Sequence, residues 1–335
     1  MSAILEKRTD LPVLIDILTT FDNSTWDIDA VSMAESLSLR VRGQDHVISD
    51  LAELISRSSA KVSRQRPIAN LMFVGPTGTG KSELCKAMAE YLFGNENNVI
   101  NYDGGALKSS GVVNRLVGSP QGYQGAGGEL TKAMLANKKR LVVFDEIEKA
   151  NPEVYDLFLS MMGDGRLQDQ RSGKAADFTE SIIVMASNAE QDKLTRLQDE
   201  ATDANELNNA LRVHLSESGT FRPEIIGRID RIYVFKPLEG IVRAEIVMMR
   251  IEKIAKSYGV EIEYVDPNLI AEAVLEGDKL AEFGSRQRDA VVEDRFGPPI
   301  LAAKRAGAKK VRLSVTGDNE LLVEPALYDK ELVQK

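Results

Sequence analysis

A glycine-rich stretch between an apolar run and an amphipathic segment carries the strongest chemical signal of the sequence. Residues 75–82 read GPTGTGKS. Glycines let backbone N–H groups converge on phosphate oxygens at a helix N-terminus, where Lys81 adds a positive charge and the Ser82 hydroxyl can ligate Mg²⁺. We therefore expect a nucleoside triphosphate site here. The residues expected to contact the nucleotide are Pro76, Thr77, Gly78, Thr79, Gly80, Lys81, Ser82 and Glu83.

A second signal is a pair of adjacent acids at the end of the apolar run in LVVFDEIEKA. At the carboxyl end of a strand, Asp145 is placed to hold Mg²⁺ together with Ser82, directly or through water, and Glu146 is placed to polarise an attacking water. An acid beside the Mg²⁺ ligand suits water as the nucleophile, which favours a triphosphatase over a kinase. A strand that merely ends in a charged turn would show the same residues, but the phosphate loop upstream favours the functional interpretation.

The elements that must hold these residues alternate along the chain. Short apolar runs predict strands at 71–74, 99–102, 141–144, 181–186 and 232–235, separated by helical patterns. Continuous apolar runs are typical of a parallel sheet covered by helices on both faces. The sequence therefore predicts an α/β fold with a five-stranded parallel sheet.

The rest of the chain follows different patterns. The apolar spacing in LPVLIDILTTF predicts a helix in the first 40 residues, and the polar segment 195–212 predicts one surface helix. After Pro237, helical patterns cover 239–257, 267–276 and 285–306, followed by a hairpin around Gly317 and Asp318. We expect this last part to form a small α+β domain.

Composition excludes several classes of function. A net charge of -9 argues against nucleic-acid binding through the whole surface, although it leaves room for a local basic patch. One cysteine, Cys85, and two distant histidines, His46 and His214, give neither a disulfide framework nor a zinc pattern. No apolar run has the length of a membrane span, and the start is charged, so we expect a cytoplasmic protein without membrane insertion.

Several linked motifs in one order resemble the AAA+ ATPases, and most specifically the second ATPase domain of the ClpB and ClpA type of protein-remodelling chaperone. The resemblance covers residues 39–325 through VRGQDHVI, RPIANLMFVGPTGTGKSELCKAMAEYLFG, GSPQGYQGAGG, LVVFDEIEKANPEVYDLFLSMMGDGRLQDQ, IIVMASN, FRPEIIGRIDRIYVFKPL and FGSRQRDAVVE. It implies a P-loop AAA+ fold that uses ATP and Mg²⁺. The implied domains are a helical N-terminal extension (1–38), a large nucleotide-binding domain (39–237) and a small C-terminal lid domain (238–335).

The resemblance also implies roles for residues outside the two main motifs. Val41 and Arg42 would lie along the adenine pocket, unless they only begin a helix. Asn188, at the end of IIVMAS, would orient water near the γ-phosphate as the first sensor; the alternative is an ordinary turn former. Arg286, in the GSR of the small domain, resembles the second sensor, which Gly-x-Arg spacing favours over its neighbour Arg288.

Arg228 in FRPEIIGRID matches the family's arginine finger, which reaches the nucleotide of a neighbouring subunit and stabilises the transition state. The alternative is a surface arginine that pairs with Asp230. Gly227 and Arg231 stand where the family usually has Asn and Glu, so Arg222 and Arg231 remain rivals for this role.

The resemblance implies a homo-oligomeric ring, a hexamer in this family, with a substrate-gripping loop of Gly122, Tyr123, Gln124 and Gly125. Tyr123 would grip an extended client polypeptide in the axial channel, and a second loop at 164–174 would sit lower in it. Tyr123 could instead fold back onto its own subunit. Two other functions stay open: a nucleic-acid motor, for which the second loop offers Arg166, Arg171 and Lys174, and an ATP-timed assembly switch without threading.

Two departures from the family narrow the expected partners. The chain carries one ATPase domain where ClpB and ClpA carry two, which favours a dedicated remodeller of one or a few clients. An IGF-like tripeptide for docking on the ClpP peptidase is missing, because the nearest match, 226–228, belongs to the finger motif. We therefore expect a client polypeptide or dedicated protein partner and no ClpP partnership.

Overall fold

The computed structural model describes residues 27–120, 127–279, 285–316 and 321–325. Within these ranges the chain forms two compact units. The larger unit comprises the described residues up to Gly75 and Lys81–Phe235. The second unit comprises Pro76–Gly80 and the described residues from Lys236 onward. The helix predicted in the first part of the chain, around residues 11–18, lies outside the described residues.

Five strands of the larger unit form one sheet in the order β2-β3-β6-β1-β7 within the described ranges, and every neighbouring pair is parallel. This confirms the predicted five-stranded parallel sheet. A separate antiparallel hairpin is formed by two short strands, β4 and β5. The strands are β1 (Ala69–Val74), β2 (Val99–Asp103), β3 (Leu141–Asp145), β4 (Arg166–Gln168), β5 (Ala175–Asp177), β6 (Ile182–Ser187) and β7 (Arg231–Val234).

Nine helices belong to the larger unit in the part of it that is described. They are α1 (Ala30–Ser38), α2 (Asp45–Ser59), α3 (Lys81–Phe93), α4 (Val112–Val117), α5 (Glu129–Ala136), α6 (Val154–Gly163), α7 (Gln191–Glu200), α8 (Ala204–Glu217) and α9 (Pro223–Ile226). Two short 3-10 turns, Gly104–Leu107 and Ile147–Lys149, follow β2 and β3. Because the turns come directly after strand ends, they lie at the edge of the sheet where the polar residues collect.

The sheet is covered on both faces because successive side chains of its strands enter two different apolar clusters. In β1, Met72 and Val74 join a cluster with residues of α4, α5, α6, α7 and α8. Leu71 and Phe73 join the other cluster, with residues of α1, α2 and α3. Alternation of this kind follows from the two-residue period of a strand, and burial on both faces explains why the strands read as continuous apolar runs.

The second unit has its own small core. It contains α10 (Gly240–Ser257), β8 (Glu261–Val265), α11 (Pro267–Lys279), α12 (Ser285–Arg305), β9 (Lys310–Val315) and β10 (Leu321–Pro325). Strand β9 pairs in parallel with β8 and antiparallel with β10. Ile251, Leu269, Phe296 and Val311 pack in one cluster. The predicted helices are present and the last two strands pair antiparallel, which gives an α+β unit; the predicted turn at Gly317 and Asp318 lies outside the described residues.

The prediction of one helix over 195–212 is wrong. The segment belongs to α7 and α8, which are separated at Ala201, Thr202 and Asp203. Asp203 interrupts the helical pattern because its carboxylate accepts hydrogen bonds from the backbone N–H groups of Asn205 and Glu206, at 2.7 and 2.9 Å. Such a bond satisfies the exposed N–H groups of a new helix start.

Candidate nucleotide site

The carboxyl ends of three adjacent strands bring the main polar residues together. In the order β3-β6-β1, the first strand ends at Asp145, the second leads to Asn188 and the third leads to Gly75. The loop after β1 returns into α3, which begins at Lys81. Ligands of open α/β sheets bind outside the carboxyl ends of the strands, so this edge is the candidate site.

Lys81 joins two of these strand ends. Its Nζ donates hydrogen bonds to the Gly75 backbone carbonyl at 2.5 Å and to Asn188 Oδ1 at 2.8 Å. Only 7% of the side chain is exposed. Burial lowers the pKa of the Lys81 ammonium to about 8, although the nearby Asp145 carboxylate favours the charged form. Phosphate oxygens beside this ammonium would compensate its loss of water.

The phosphate loop between Gly75 and Lys81 has a tight internal geometry. Gly78 and Gly80 have φ values of 81° and 103°, a region that residues with a Cβ rarely adopt. Thr79 is buried, and its hydroxyl donates to the Pro76 carbonyl at 2.9 Å. The glycine conformations and the Thr79 side-chain bond together shape the loop, as expected where its backbone N–H groups are to surround phosphates.

The acid pair lies in an unusual backbone conformation. Glu146 has φ 49° and ψ 42°, the left-handed region, which costs a residue with a Cβ about 1 kcal/mol. Its backbone N–H donates to Asp145 Oδ1 at 3.0 Å, and its carboxylate pairs with Lys149 at 2.8 Å. Strain of this kind is concentrated at functional sites, where the fold holds a side chain in a required direction.

A third carboxylate at this site, Glu148, was missed by the sequence analysis. Its Oε1 accepts from the Asn188 backbone N–H at 3.4 Å, and its buried Oε2 makes no hydrogen bond with the described residues. Glu148 also favours the charged form of Lys81. Its position two residues after Glu146 in DEIE was the available signal, but an acid in a turn is usually only a solvated side chain.

Gly104 is a second residue that sequence reasoning missed. A Cβ at this position would lie 2.1 Å from the backbone carbonyl oxygen of Glu146. The turn after β2 therefore packs directly against the acid pair. Because only a glycine allows this approach, the turn helps to fix the backbone of Glu146.

The residues expected to hold Mg²⁺ fit that ion. Ser82 is exposed, and its hydroxyl makes no hydrogen bond within the described part of the chain. One carboxylate oxygen of Asp145 accepts the hydrogen bond from the Glu146 backbone N–H. Burial raises the pKa of the Asp145 carboxyl group. No cluster of three acidic, histidine or cysteine ligands that could hold a metal occurs among the described residues. Mg²⁺ commonly takes few protein ligands and completes its shell with water and substrate phosphates.

The two residues expected along the adenine pocket lie in the connection between α1 and α2. Val41 is 3% exposed and packs in the same cluster as α3 and Phe73. Arg42 is half-buried, and its Nε has no hydrogen-bond partner among the described residues. The preceding residue, Arg40, donates through Nε to Glu83 Oε1 at 2.9 Å. This bond ties the connection to the first turn of α3, beside Ser82.

The three candidate finger arginines have different partners. Arg222 pairs with Asp156 at 2.8 Å. Arg231 is 15% exposed; its Nη2 donates to Asp50 Oδ1 at 3.1 Å, and its Nε lies 3.0 Å from Oδ2 without the alignment of a hydrogen bond. Arg228 is half-buried, and among the described residues its guanidinium donates only to the Glu224 backbone carbonyl, at 3.1 Å.

The alternative pairing of Arg228 with Asp230 is not found. Asp230 pairs with Arg66 at 2.6 Å and accepts from the Asn70 backbone N–H at 2.7 Å. Among the described residues, Arg228 has no carboxylate partner. Of the three guanidinium groups, that of Arg228 therefore makes the fewest polar contacts with the described residues.

Two groups of predicted residues are not placed by the described structure. The substrate-gripping residues Gly122, Tyr123, Gln124 and Gly125 lie outside the described ranges. Arg286 belongs to the first turn of α12 in the second unit, but its side chain is not among those described. Their assigned roles stay predictions. No helix in the described ranges is both long enough and apolar enough to span a membrane.

A parallel sheet with a phosphate loop after β1, an acid pair after β3 and a polar asparagine after the strand between them defines a P-loop nucleoside triphosphatase of the AAA+ type. Comparison with known proteins agrees: the family model described as AAA domain (Cdc48 subfamily) matches residues 66–232. The chain belongs to the AAA+ ATPases.

The relatives that this chain is similar to include Clp-type chaperones. It is 40% identical over 229 residues to the chloroplastic chaperone protein ClpB2 of Oryza sativa subsp. japonica, covering 67% of this chain and 23% of that protein. It is 36% identical over 311 residues to the negative regulator of genetic competence ClpC/MecB of Bacillus subtilis, covering 88% of this chain and 38% of that protein. The chain thus spans well under half the length of both relatives.

A solved structure shows the same fold. The S. cerevisiae Hsp104:casein complex in its extended conformation superposes with a TM-score of 0.70 at 26% sequence identity. The superposition covers 90% of this chain and 53% of that chain. The fold likeness therefore extends beyond the residues that the family model matches.

Proposed function

We propose that this chain hydrolyses ATP as part of a homo-oligomeric ring, a hexamer, and uses the cycle to unfold or remodel a client polypeptide. The ATPase part of this proposal rests on one observation. Four polar residues lie together at the ends of adjacent strands: Lys81, Asn188, Asp145 and Glu146. The remodelling part is supported by the similarity to ClpB- and Hsp104-type proteins, one of which is described in complex with casein.

Each residue of the site has a separate task in the proposed reaction. Backbone N–H groups of residues 77–80 and the Lys81 ammonium bind the phosphates, and the ammonium neutralises part of their charge. Ser82 and Asp145 would hold Mg²⁺, which when bound neutralises charge on the phosphate oxygens. Glu146 orients and polarises water, and the Asn188 amide holds that water and the terminal phosphate in line.

Hydrolysis in this proposal depends on assembly. The ring places Arg228 of one subunit at the nucleotide of its neighbour, where its charge stabilises the transferring phosphoryl group. Support comes from the absence of a carboxylate partner for Arg228 among the described residues. Residues 39–237 act as the nucleotide domain, and 238–335 act as the lid that carries the second sensor, Arg286.

The proposed client contact is Tyr123, and a steady-state ATPase assay tests it. Wild type and Tyr123→Ala are compared alone, with an unstructured polypeptide and with single-stranded DNA, at one salt concentration. The matched control is Tyr264→Ala, since Tyr264 is an exposed tyrosine of the second unit. We expect the polypeptide to stimulate wild type and Tyr264→Ala but not Tyr123→Ala.

Other results would favour a different function. The exposed side chains of Arg166, Arg171 and Lys174 give the second loop a positive charge, which suits a nucleic-acid motor. Stimulation by DNA instead of polypeptide would select that motor. Equal rates for all variants and additives would contradict polypeptide threading and favour an ATP-timed switch.

A further inference from the structure

Asp169, in the turn between β4 and β5, is a buried carboxylate that no part of the proposed reaction uses. Only 2% of the residue is exposed. No arginine, lysine or histidine in the described ranges forms an ion pair with it. A buried charge without a cation is costly unless hydrogen bonds replace water completely.

Four hydrogen bonds provide that replacement. Burial alone would favour the neutral acid, yet the bonds from Thr131, Ser172 and Gly128 hold the pKa of Asp169 far below its usual value. The group therefore remains an anion. A carboxylate bound this tightly is a structural anchor rather than a titrating group.

The two oxygens of this anchor are divided between two segments of the chain. Oδ2 accepts from the Gly128 backbone N–H at 3.0 Å and from the Thr131 hydroxyl at 2.5 Å. Oδ1 accepts from the backbone N–H and the hydroxyl of Ser172, at 2.7 and 2.8 Å. Gly128 ends the loop 118–128 and Thr131 lies in the first turn of the following helix, α5, whereas Ser172 lies in the loop 164–174.

Further contacts draw the same two segments together. The Gln170 backbone N–H donates to the Val117 carbonyl at 2.8 Å, and Gly118 forms an antiparallel bridge with Gly127. A Cβ on Gly128 would lie 2.3 Å from the carbonyl oxygen of Leu116. Both ends of the loop 118–128 are thus held against the hairpin turn that contains Asp169.

We propose that Asp169 is the positioning residue that couples the described ends of the loop 118–128 to the loop 164–174, so that these ends and the loop 164–174 move as one unit when client polypeptide is gripped. The joint movement during gripping rests on the proposed function, whereas the coupling itself does not. Because one carboxylate bonds to both segments, displacing either segment breaks bonds that hold the other.

The test uses two variants and one matched control in the full chain. Asp169→Asn keeps the shape of the side chain but replaces one carboxylate oxygen by an NH₂ group. That group cannot accept a hydrogen bond from the donors that face it. Thr131→Val keeps the volume and removes one donor on the side of the loop 118–128. Asp177→Asn is the control, because Asp177 lies on the same hairpin and, within the described ranges, its carboxylate accepts hydrogen bonds only from Thr179, at 2.9 and 2.8 Å.

The first readout is amide hydrogen exchange without client. In Asp169→Asn we expect the Gly128 and Ser172 amides to exchange about fivefold faster or more, the factor that corresponds to losing about one hydrogen bond. Thr131→Val should accelerate exchange at Ser172, on the opposite side of the anchor, whereas Asp177→Asn should leave both amides unchanged. An unchanged Ser172 amide in Thr131→Val would overturn the coupling whatever the client.

The second readout is polypeptide-stimulated ATPase activity. We expect Asp169→Asn and Thr131→Val to keep the basal rate within about twofold and to lose most of the stimulation, with Asp177→Asn like wild type. Faster exchange with full stimulation would overturn the joint movement during gripping. A wild type without stimulation would contradict the proposed function, while the exchange data would still decide the coupling.

Discussion

The three arginines of FRPEIIGRIDR (221–231) allow a prediction that separates hydrolysis from stability. Arg228→Ala removes one bond to the Glu224 carbonyl and should cost about 1 kcal/mol of unfolding free energy. Arg222→Ala loses an exposed pair with Asp156 and should cost about 1 kcal/mol or less. Arg231→Ala leaves the half-buried Asp50 with the Tyr233 hydroxyl as its remaining bond and should cost about 3 kcal/mol.

The catalytic effects should follow a different order. An arginine finger contributes about a thousandfold or more to kcat, which corresponds to about 4 kcal/mol of transition-state stabilisation. Arg228→Ala should therefore retain ATP affinity and lose nearly all turnover. Arg222→Ala and Arg231→Ala should hydrolyse ATP within about threefold of wild type at a temperature where they are folded.

Both effects can be measured on the same preparations of the three variants. Steady-state ATPase assays give the turnover, and urea unfolding monitored by circular dichroism gives the free energy of unfolding. Mixing Arg228→Ala with Glu146→Gln subunits then tests whether the arginine works in trans, because each subunit type supplies what the other lacks. We expect part of the turnover to return. Wild-type hydrolysis by Arg228→Ala, together with an inactive but stable Arg222→Ala or Arg231→Ala, would refute the reasoning from partner geometry.

The remaining predictions concern the nucleotide site. Lys81→Met should weaken ATP binding about tenfold to a hundredfold, because the phosphates lose a charged donor; titration with a fluorescent ATP analogue measures this, and unchanged affinity would contradict the phosphate-loop assignment. Glu146→Gln should bind ATP normally and hydrolyse it more than about a hundredfold more slowly, as single-turnover assays would show. Glu148→Ala should lower kcat about tenfold at constant affinity, because the Asn188 backbone N–H loses its acceptor; a change in affinity alone would argue against that role. Gly104→Ala should reduce kcat at least as much, since its Cβ would displace Glu146, and a wild-type rate would show that the turn can yield.

Much of the fold follows from local sequence patterns. The runs at 71–74 and 141–144 predict strands because side chains buried on both faces of a sheet must all be apolar. The phosphate loop is equally local: strand, glycine turn and helix are consecutive, so Lys81 and Ser82 are recognisable without any tertiary contact. The error over 195–212 arose because Asp203 can be a helical residue or a helix cap, and its spacing does not distinguish the two.

The neighbours of these residues depend on contacts between distant parts of the chain. Asn188 reaches Lys81 because β6 lies between β3 and β1, an order that the alternation of strands and helices does not specify. The partners of the arginines are equally remote, as Asp50 for Arg231 shows. A charged side chain has the same sequence signal whether water, a carboxylate or a backbone N–H surrounds it. The sequence by itself therefore determined the type of sheet and the chemistry of its loops, whereas tertiary packing decided which carboxylates are buried, which arginine lacks a carboxylate partner and which loops Asp169 joins.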